Sequence, residues 1–508
     1  MIIRVGCLLL LLIAAKVNAA ESMPLAVAHR ACLFLDDRFV AAQEGLTRTW
    51  HSGEPVPQVI LEATEPWEAW PHLFGSVLFD PQDRRYKMWY QVINPRASID
   101  ADEGSGRYFV CYAESTDGKH WVKPHLGMVE FLGNTDNNIF RAEEAELPNV
   151  FLDPQERDPE KRFKMLIWLR PGGHLLFASG DGKRWDKLGP GVPPYELTPV
   201  DERPVRADTN LVIWDSLASR YLSAYRTYPK HEFGFFKDGN RRGVGFTTSP
   251  RLSDGWGPIK TSIRAEDADD ARVARMSPSQ QRFKNWSEPY IMTPQVYGNH
   301  YLGLVSMLDY INGSDFAVGG GALELAFSHD GLNWRRPQPG QPAIRRQIND
   351  ELFPCYAAVQ PPLVIDGRLW SFYSEGNCAH PAKPVAKSRI RAATWRVDGF
   401  ASLATTDDRT ASLATPVLMC PGGRLTLNAD IEPDGFIEVE LADAAGQPLP
   451  GRSFADSTRI RGDGTALPVS WMRSRDVNAL NAQPILVRMK LHKARLYALR
   501  FANDAESN

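Results

Sequence analysis

Apolar residues recur along this chain in short alternating runs that are separated by turn residues. In the first unit these runs cover 74–80, 85–90 and 108–114. The first run ends in Asp, the second opens with a basic residue, and the third leads into a turn. Runs of this length bounded by turn residues predict β-strands. A helical period is found only over 268–275.

Four further units repeat this order of runs. They begin near positions 149, 210, 290 and 359. The turn sequence Ser-x-Asp-Gly-x-x-Trp ends three of the units, at 115–121, 179–185 and 328–334, and a degenerate copy occupies 253–256. Asp caps such a turn, Gly supplies positive φ, and Trp anchors the outgoing strand. Five repeated β units predict an all-β fold with a five-bladed β-propeller, with an array of β-sandwiches as the alternative.

The pattern changes at both ends of the chain. Arg4, the apolar run 8–15 and the small residues Ala19 and Ala20 predict a signal peptide over 1–20 and an exported, periplasmic or extracellular protein. The alternating run 33–40 predicts a strand that enters the propeller, which we assign to 21–404. Beyond a polar connector, the runs 425–428, 436–441, 484–491 and 496–501 predict a C-terminal β-sandwich domain over 405–508.

The composition of the chain limits the kinds of molecule that it is expected to bind. The 508 residues carry a formal net charge of -3, with 14 Trp and 15 Tyr. This balance gives no reason to expect nucleic acid as a partner, and no later segment is apolar enough to predict a membrane span. The aromatic content is typical of β proteins that bind carbohydrate. Nothing in the sequence indicates the oligomeric state.

Short stretches distributed over the chain carry a family resemblance. They are Pro66-Trp67-Glu68, Tyr86-Lys87-Met88-Trp89-Tyr90, Asn137-Asn138-Ile139, Asp208-x-Asn210 and Glu324-Leu325-Ala326, together with the first Asp-Gly turn. In these stretches the chain resembles secreted bacterial proteins related to glycoside hydrolase families 32 and 43. The resemblance covers nearly the whole mature chain and implies a five-bladed propeller, a C-terminal β-sandwich and activity on carbohydrate.

The sequence departs from this family in its chemical motifs. The Trp-Met-Asn-Asp-Pro sequence of invertases is absent, and Arg157-Asp158-Pro159 is interpreted as a turn. Candidate catalytic residues are therefore inferred from the expected geometry. Inner strands line the channel of a propeller, and the residues that enter them gather at one mouth. Cleavage of a glycoside needs two carboxyl groups at such a place.

An acidic residue precedes each of the five inner strands: Glu68, Glu146, Asp208, Glu288 and Glu351. We predict that Asp208 is the base or nucleophile, with a turn cap as its alternative role. Glu68, Glu288 and Glu351 are the candidates for the general acid, with solvated loop charges as the alternative. Glu146 lies in an acidic run and is more typical of a solvated charge.

Several residues near these acids are predicted to bind substrate. Trp67, Trp70 and Trp286 are candidates for stacking on a sugar, with packing between blades as the alternative, and Asn210 is a candidate for a polar contact. His72 and His380 are candidates for binding a hydroxyl group or a cation, with the role of an ordinary polar residue as the simpler alternative. No metal or cofactor is predicted, although Asp267, Asp269 and Asp270 offer oxygen ligands for a structural calcium ion. A solvated acidic loop is the alternative for these three.

Taken together, these patterns predict a secreted glycoside hydrolase that cleaves an oligo- or polysaccharide with paired carboxylates. Two other functions fit the same fold, because fold alone does not determine chemistry. One is a propeller that binds glycans without cleaving them. The other is a propeller that serves as an interaction platform. The carboxyl positions at the channel mouth distinguish these functions.

Overall fold

The computed structural model describes residues 23–96, 108–141, 145–169, 173–190, 209–231, 240–276, 285–310, 321–344, 352–377, 387–472 and 474–503. The predicted signal peptide lies outside these ranges. The chain enters the structure through six short strands, none of which starts a blade. They are β1 (Leu25–Ala26), β2 (Ala31–Leu33), β3 (Ala42–Glu44), β4 (Leu46–Trp50), β5 (Glu54–Pro55) and β6 (Leu61–Glu62).

Four sheets of four antiparallel strands follow. Blade one contains β7 (Ala69–Asp80), β8 (Arg85–Ile93), β9 (Tyr108–Ser115) and β10 (Ile139–Arg141). Blade two contains β11 (Ala145–Leu152), β12 (Phe163–Leu169), β13 (Gly173–Ser179) and β14 (Asp186–Pro190). Blade three contains β15 (Asn210–Asp215), β16 (Arg220–Thr227), β17 (Gly243–Ser249) and β18 (Lys260–Ile263). After the helix α1 (Asp267–Met276), blade four contains β19 (Trp286–Tyr297), β20 (His300–Tyr310), β21 (Gly321–Ser328) and β22 (Trp334–Arg335).

The fifth blade closes the ring with strands from two parts of the chain. It contains β23 (Phe353–Ala357), β24 (Leu363–Ile365), β25 (Arg368–Gly376) and β26 (Ser388–Arg396). The entering strands β5 and β6 pair with the outer edge of β26. The inner strands β7, β11, β15, β19 and β23 contact one another in a closed circle. The predicted all-β, five-bladed propeller and the predicted helix near 268–275 are thus confirmed.

The Asp residues that end the inner runs join neighbouring blades. In blades one to three this Asp is buried and accepts hydrogen bonds from the second strand of the next blade. The pairs are Asp80 with Arg162 at 2.6 Å, Asp153 with Tyr221 at 2.8 Å, and Asp215 with Tyr301 at 2.8 Å. Burial alone would raise the pKa of Asp80, but the hydrogen bonds from Arg162 and Lys87 lower it to about 2.

The repeated turn connects the third and fourth strands of a blade. In blade one, the N–H groups of Asp117 and Gly118 donate to Ser115 Oγ at 3.2 and 2.9 Å. Gly118 has a φ of 73°, and the indole N–H of Trp121 donates to its carbonyl at 3.1 Å. The hydrogen bond from the Gly N–H to the Ser Oγ recurs in the turns of blades two and four, at 2.8 and 3.0 Å. The turn also joins blades, because Trp89 of blade one donates to the Gly182 carbonyl of blade two at 2.8 Å.

Replacing Gly182 by Ala is expected to destabilise the fold by more than about 1 kcal/mol, because Ala is strained where φ is positive. Gly182 has a φ of 78°, and a Cβ atom there would lie 2.8 Å from the Trp89 ring. Gly189 provides a matched control, since its φ is not positive and a Cβ atom would meet no atom within 4 Å. Urea unfolding of both variants measures the difference. Equal midpoints for the two variants would contradict this role of the turn.

The C-terminal strands form one ten-stranded sheet with strands from the start of the chain. They are β27 (Ala401–Thr405), β28 (Ala411–Ala414), β29 (Leu418–Met419), β30 (Arg424–Asp443), β31 (Asp463–Pro468) and β32 (Pro484–Ala502). Their partners from the start of the chain are β1, β2, β3 and β4. Strand pairing therefore places 25–50 with the C-terminal sheet, whereas the sequence-based division placed them with the propeller. The β-sandwich arrangement stays a prediction.

Two local predictions differ from the structure at these ends. The predicted strand 33–40 is wrong beyond Leu33, because Asp37–Phe39 forms a short 3-10 turn. Asp36 caps this turn, and its carboxylate accepts from the Arg38 N–H at 3.0 Å. The four predicted C-terminal runs belong to only two long strands, β30 and β32. The polar segment 432–435, which resembles a turn in sequence, is a β-bulge within β30.

Candidate functional site

Four of the five inner strands deviate from regular β-geometry close to where they begin. Strand pairing shifts register within 69–76 of β7, 146–149 of β11, 289–291 of β19 and 354–356 of β23. Trp70 and Leu147 have φ values of 52° and 58°, which are rare for residues other than glycine. Bulges and strained residues are frequent beside functional sites, where they redirect side chains. This end of the channel is therefore the candidate site.

Rings from blades one, four and five converge beside these bulges. Phe74 stacks on Tyr290 at 5.7 Å between ring centroids and lies 4.4 Å from Tyr356. His72 lies 4.2 Å from Trp70 and 6.2 Å from Tyr356. All five side chains are buried. We call Trp70, His72, Phe74, Tyr290 and Tyr356 the channel cluster. Aromatic rings are the surfaces on which the C–H groups of a sugar pack, and here they also pack on one another.

His72 is the titratable member of the channel cluster. Its Nδ1–H donates to the Trp70 carbonyl at 3.1 Å, which leaves Nε2 as the unprotonated nitrogen. Burial lowers the pKa of His72 to about 3, although the hydrogen bond to Trp70 opposes this shift. The ring is therefore neutral at physiological pH. It can accept a hydrogen bond at Nε2, and it cannot act as a general acid.

Glu288 lies next to the channel cluster and is held by donors at both oxygens. Oε2 accepts from the backbone N–H of Arg242 at 2.8 Å, and Oε1 accepts from the Tyr310 hydroxyl at 3.0 Å. The Arg242 guanidinium also binds Oε1 and lies 5.5 Å from the Tyr290 ring. Burial alone would lower the pKa of Arg242, but Glu288 raises it well above its usual range. Glu288 is thus a buried carboxylate paired with a fixed cation.

Trp286 packs beside this ion pair. Its ring stacks on Tyr310 at 3.9 Å with an interplanar angle of 8°, and Arg241 lies 5.1 Å from its centroid. Only 6% of Trp286 is exposed. One face of the ring is therefore already covered by protein, and Trp286 orients the Tyr310 hydroxyl toward Glu288. This packing role is the alternative that the sequence left open for Trp286.

Helix α1 holds the start of β19 through buried arginines. Arg272 donates to the Asp309 carboxylate at 2.5 and 2.6 Å and to Ser287 Oγ at 3.2 Å. The acidic residues of the helix serve the same purpose, since Asp270 binds Arg241 at 2.8 Å and Asp269 binds Arg336 at 2.7 Å. In the described part of the chain, no group of three or more His, Cys, Asp or Glu residues is placed to hold a metal ion.

Glu68 and Trp67 belong to a different network, within blade one. Glu68 Oε2 accepts from Lys123 Nζ at 2.6 Å, and Oε1 accepts from the Tyr90 hydroxyl at 2.6 Å. The Trp67 indole N–H donates to Asn138 Oδ1 at 2.8 Å, and the Asn138 amide donates to the same Tyr90 hydroxyl at 2.7 Å. The Glu68 side chain is 0% exposed. These contacts stabilise the blade, and neither residue reaches the channel cluster.

The remaining predicted residues lie at the start of blade three or outside the described ranges. Asn210 is buried at the beginning of β15, where its side-chain oxygen accepts from the Ser223 hydroxyl at 2.7 Å. Asp208 and Glu351 lie outside the described residues, as do His380 and the side chain of Glu146. Among the predicted residues, the structure brings Trp70, Trp286 and Glu288 into one site.

Three further residues of this site were not predicted as a group: Arg242, Tyr290 and Tyr356. Arg242 precedes a third strand, and the other two follow Pro289 and Cys355 inside inner strands. The segments Glu288-Pro289-Tyr290 and Pro354-Cys355-Tyr356 carried a signal, because Pro inside an apolar run indicates a bulge or an edge. For His72 the sequence predicts either binding of a hydroxyl group or a cation, or the role of an ordinary polar residue, since burial cannot be inferred from a lone histidine.

The pH dependence of stability is expected to report the burial of His72. Its pKa falls from an ordinary 6.5 in the unfolded chain to about 3 in the fold. At a pH between these two pKa values, only the unfolded state binds the proton. The free energy of unfolding therefore falls as the pH falls through this range. Relative to His72→Gln, the wild type should lose up to about 3 kcal/mol between pH 7 and pH 4.5. Urea unfolding at several pH values measures this, and parallel pH profiles would contradict it.

The similarity of this chain to known proteins comes from solved structures. No protein-family model matches the sequence, and no curated protein matches it. A glycosyl hydrolase from Bacteroides ovatus is 14% identical with a TM-score of 0.40, over 68% of this chain and 94% of that chain. A family 117 glycoside hydrolase from the marine bacterium Zobellia galactanivorans is 12% identical with a TM-score of 0.39, over 71% and 91% of the two chains.

A third solved structure spans nearly the whole chain. It is a fructofuranosidase from Schwanniomyces occidentalis in complex with fructosylnystose, 10% identical with a TM-score of 0.36, over 95% of this chain and 100% of that chain. These solved structures are glycoside hydrolases. At this level of similarity they transfer neither a fold nor an activity to this chain, and its five-bladed β-propeller rests on its own strand pairing.

Among the residues described, no helix is both long and apolar enough to cross a membrane.

Proposed function

We propose that this chain is an exported glycoside hydrolase that cleaves an oligo- or polysaccharide at the mouth where its inner strands begin. The observation that carries the proposal is the juxtaposition of the channel cluster with the buried Glu288–Arg242 pair. Aromatic faces bind the C–H surface of sugars, and a fixed carboxylate stabilises the positive charge of an oxocarbenium-like transition state. The proposed export rests on the N-terminal signal sequence.

The contacts of the two described glutamates support a division of roles. Glu288 accepts hydrogen bonds at both oxygens and faces a guanidinium, so neither oxygen is placed to donate to a leaving group. We assign it to stabilising charge and orienting the neighbouring hydroxyl. Glu68 is bound by Lys123, and we assign it a structural role. Asp208 is then the proposed base or nucleophile, and Glu351 is the remaining glutamate for the general acid.

The distance between the two catalytic carboxyl groups would determine the stereochemical outcome. About 5–5.5 Å places a nucleophile against the anomeric carbon and gives retention, while about 6.5–9.5 Å leaves room for water and gives inversion. The Asp208–Glu351 distance in a structure with bound sugar measures this. The anomeric configuration of the first product, followed by NMR, gives an independent reading. A retaining product with widely separated carboxyls would contradict the assigned pair.

The test of the function itself is a screen for cleavage. Aryl glycosides of neutral furanoses and pyranoses report release of the aryl group, and plant and algal polysaccharides report new reducing ends. The wild type should release product from at least one substrate, and Asp208→Asn should not. If both proteins bind a glycan and neither cleaves it, the hydrolase proposal fails.

A glycan-binding propeller without catalysis is the second candidate function. It is favoured by the pairing of both described glutamates with cations, Lys123 and Arg242. Such a protein needs aromatic faces and partners for hydroxyl groups, and it needs no second carboxyl at catalytic separation. Affinity for an uncleaved oligosaccharide that is unaffected by Asp208→Asn and Glu351→Gln would support this candidate over the hydrolase.

A further inference from the structure

Trp70 combines three features that seldom occur together in one residue. Its φ is 52°, only 6% of it is exposed, and its indole N–H has no hydrogen-bond partner among the described residues. A left-handed backbone at Trp costs free energy, and so does a buried donor without an acceptor. Buried polar groups in proteins are almost always satisfied, so an unpaired one in a candidate site indicates that a ligand supplies the acceptor.

His72 presents the complementary group beside Trp70. Its Nδ1–H is used by the Trp70 carbonyl, which leaves a lone pair on Nε2, and no described residue donates to that nitrogen. The ring is surrounded by the aromatic rings of Trp70, Phe74, Tyr108 and Tyr356. An unused acceptor and an unused donor therefore lie on two rings whose centroids are 4.2 Å apart.

We propose that Trp70 and His72 together bind one hydroxyl group of a neutral sugar residue. The hydroxyl donates to His72 Nε2 and accepts from the Trp70 indole N–H, while the sugar ring packs on the channel cluster. A hydroxyl is both donor and acceptor, whereas a carboxylate or sulfate only accepts and an ammonium only donates. This inference rests on the proposed function and adds to it the class of substrate at this subsite, a neutral sugar.

The probes are the methyl glycosides of arabinose, xylose, fructose and galactose, each with its set of monodeoxy analogues, and methyl glucuronide as the anionic probe. Binding to the full chain is followed by calorimetry or NMR titration. Removal of the recognised hydroxyl should weaken binding to the wild type by about 10–100-fold, because it leaves two buried polar groups unpaired. Removal of the other hydroxyls should have smaller effects.

Four variants test whether this loss of affinity depends on the rings of Trp70 and His72. His72→Phe keeps an aromatic ring without the acceptor, and Trp70→Phe keeps a ring without the N–H. Both should discriminate less than the wild type between the parent glycoside and its deoxy analogue, because each variant keeps only one of the two partners of the hydroxyl. His72→Gln places an amide oxygen near the position of Nε2 and should retain the discrimination. Trp185→Phe is the matched control, since it removes another buried indole N–H without a partner, in the turn of blade two.

A measurement on the wild type does not depend on the folding of any variant. In ¹⁵N-labelled protein, the Nε2 resonance of His72 should be that of an unprotonated nitrogen and should shift with the parent glycoside only. Full discrimination by folded His72→Phe and Trp70→Phe would overturn the proposal, as would binding of the glucuronide alone or of no neutral probe. If the wild type prefers the parent glycoside over its deoxy analogue but cleaves no glycoside, the hydrolase proposal is wrong and the subsite proposal is supported. If it cleaves a glycoside but shows no such preference, the subsite proposal is wrong and the hydrolase proposal is supported.

Discussion

Replacing Asp208 by Asn is expected to lower turnover by about 10²–10⁴-fold, the range for loss of a catalytic acid or base. The amide keeps the shape of the side chain and removes its charge, so the fold should be unaffected. Turnover is measured on the best substrate of the cleavage screen, with circular dichroism and urea unfolding as tests of folding. Asp136→Asn is a suitable control, because the Asp136 side chain is 79% exposed on blade one.

Two outcomes would remove Asp208 from the proposed mechanism. One is full activity of Asp208→Asn on a substrate that the wild type cleaves. The other is a structure with bound sugar in which the Asp208 carboxyl points away from the channel. Glu351→Gln tests the partner residue in the same assay. If Glu351 is the general acid, its variant should be least impaired on substrates with good leaving groups, which need little protonation.

Replacing Arg242 by Met is expected to destabilise the protein by about 3–5 kcal/mol, because it leaves a buried carboxylate without its cation. The Glu288 side chain is 0% exposed and that of Arg242 is 11% exposed, so water cannot replace the guanidinium. The shift in the midpoint of urea unfolding measures the loss. Arg335→Met is the control, because the Arg335 side chain is 73% exposed and lies 3.8 Å from its acidic partner.

The double variant Arg242→Met with Glu288→Gln separates charge from packing. Removing both charges should restore much of the lost stability, because the remaining amide can still accept from the Tyr310 hydroxyl. A double variant as unstable as Arg242→Met would show that the lost contribution is packing on Tyr290. If the double variant is stable but inactive, this would support the proposed role of Glu288 in the transition state.

The repeated elements were predictable because their interactions are local. Ser115, Asp117 and Gly118 make their turn with one another, so the three copies of the motif locate equivalent turns in three blades. Short apolar runs bounded by turn residues likewise predicted the inner and middle strands of the first four blades. In blade five the inner strand is Phe353–Ala357, whereas the sequence predicted that this unit begins near 359. The short outer strands β10, β18 and β22 have two to four residues and carry too weak a pattern to be predicted.

Long-range pairing explains the predictions that differ from the structure. Strands β5 and β6 complete blade five, and β1 to β4 join the C-terminal sheet, although hundreds of residues separate the partners. Edge strands of two to five residues have no period of their own that identifies a partner. The sequence-based division at 404 therefore followed the visible change of pattern, and it could not include the contribution of 25–50.

The role of each acid at the channel mouth also depends on partners that the sequence does not identify. The sequence alone determined that an acid lies near the start of each inner strand, that aromatic residues accompany these acids, and that the chain forms five β units. Only the tertiary structure showed that Glu68 binds Lys123, that Glu288 binds Arg242, and that His72 is buried and neutral beside Trp70. The reason is physical: turns and strands follow from neighbours in sequence, whereas burial and ion pairing depend on partners that only the closed ring of blades brings together.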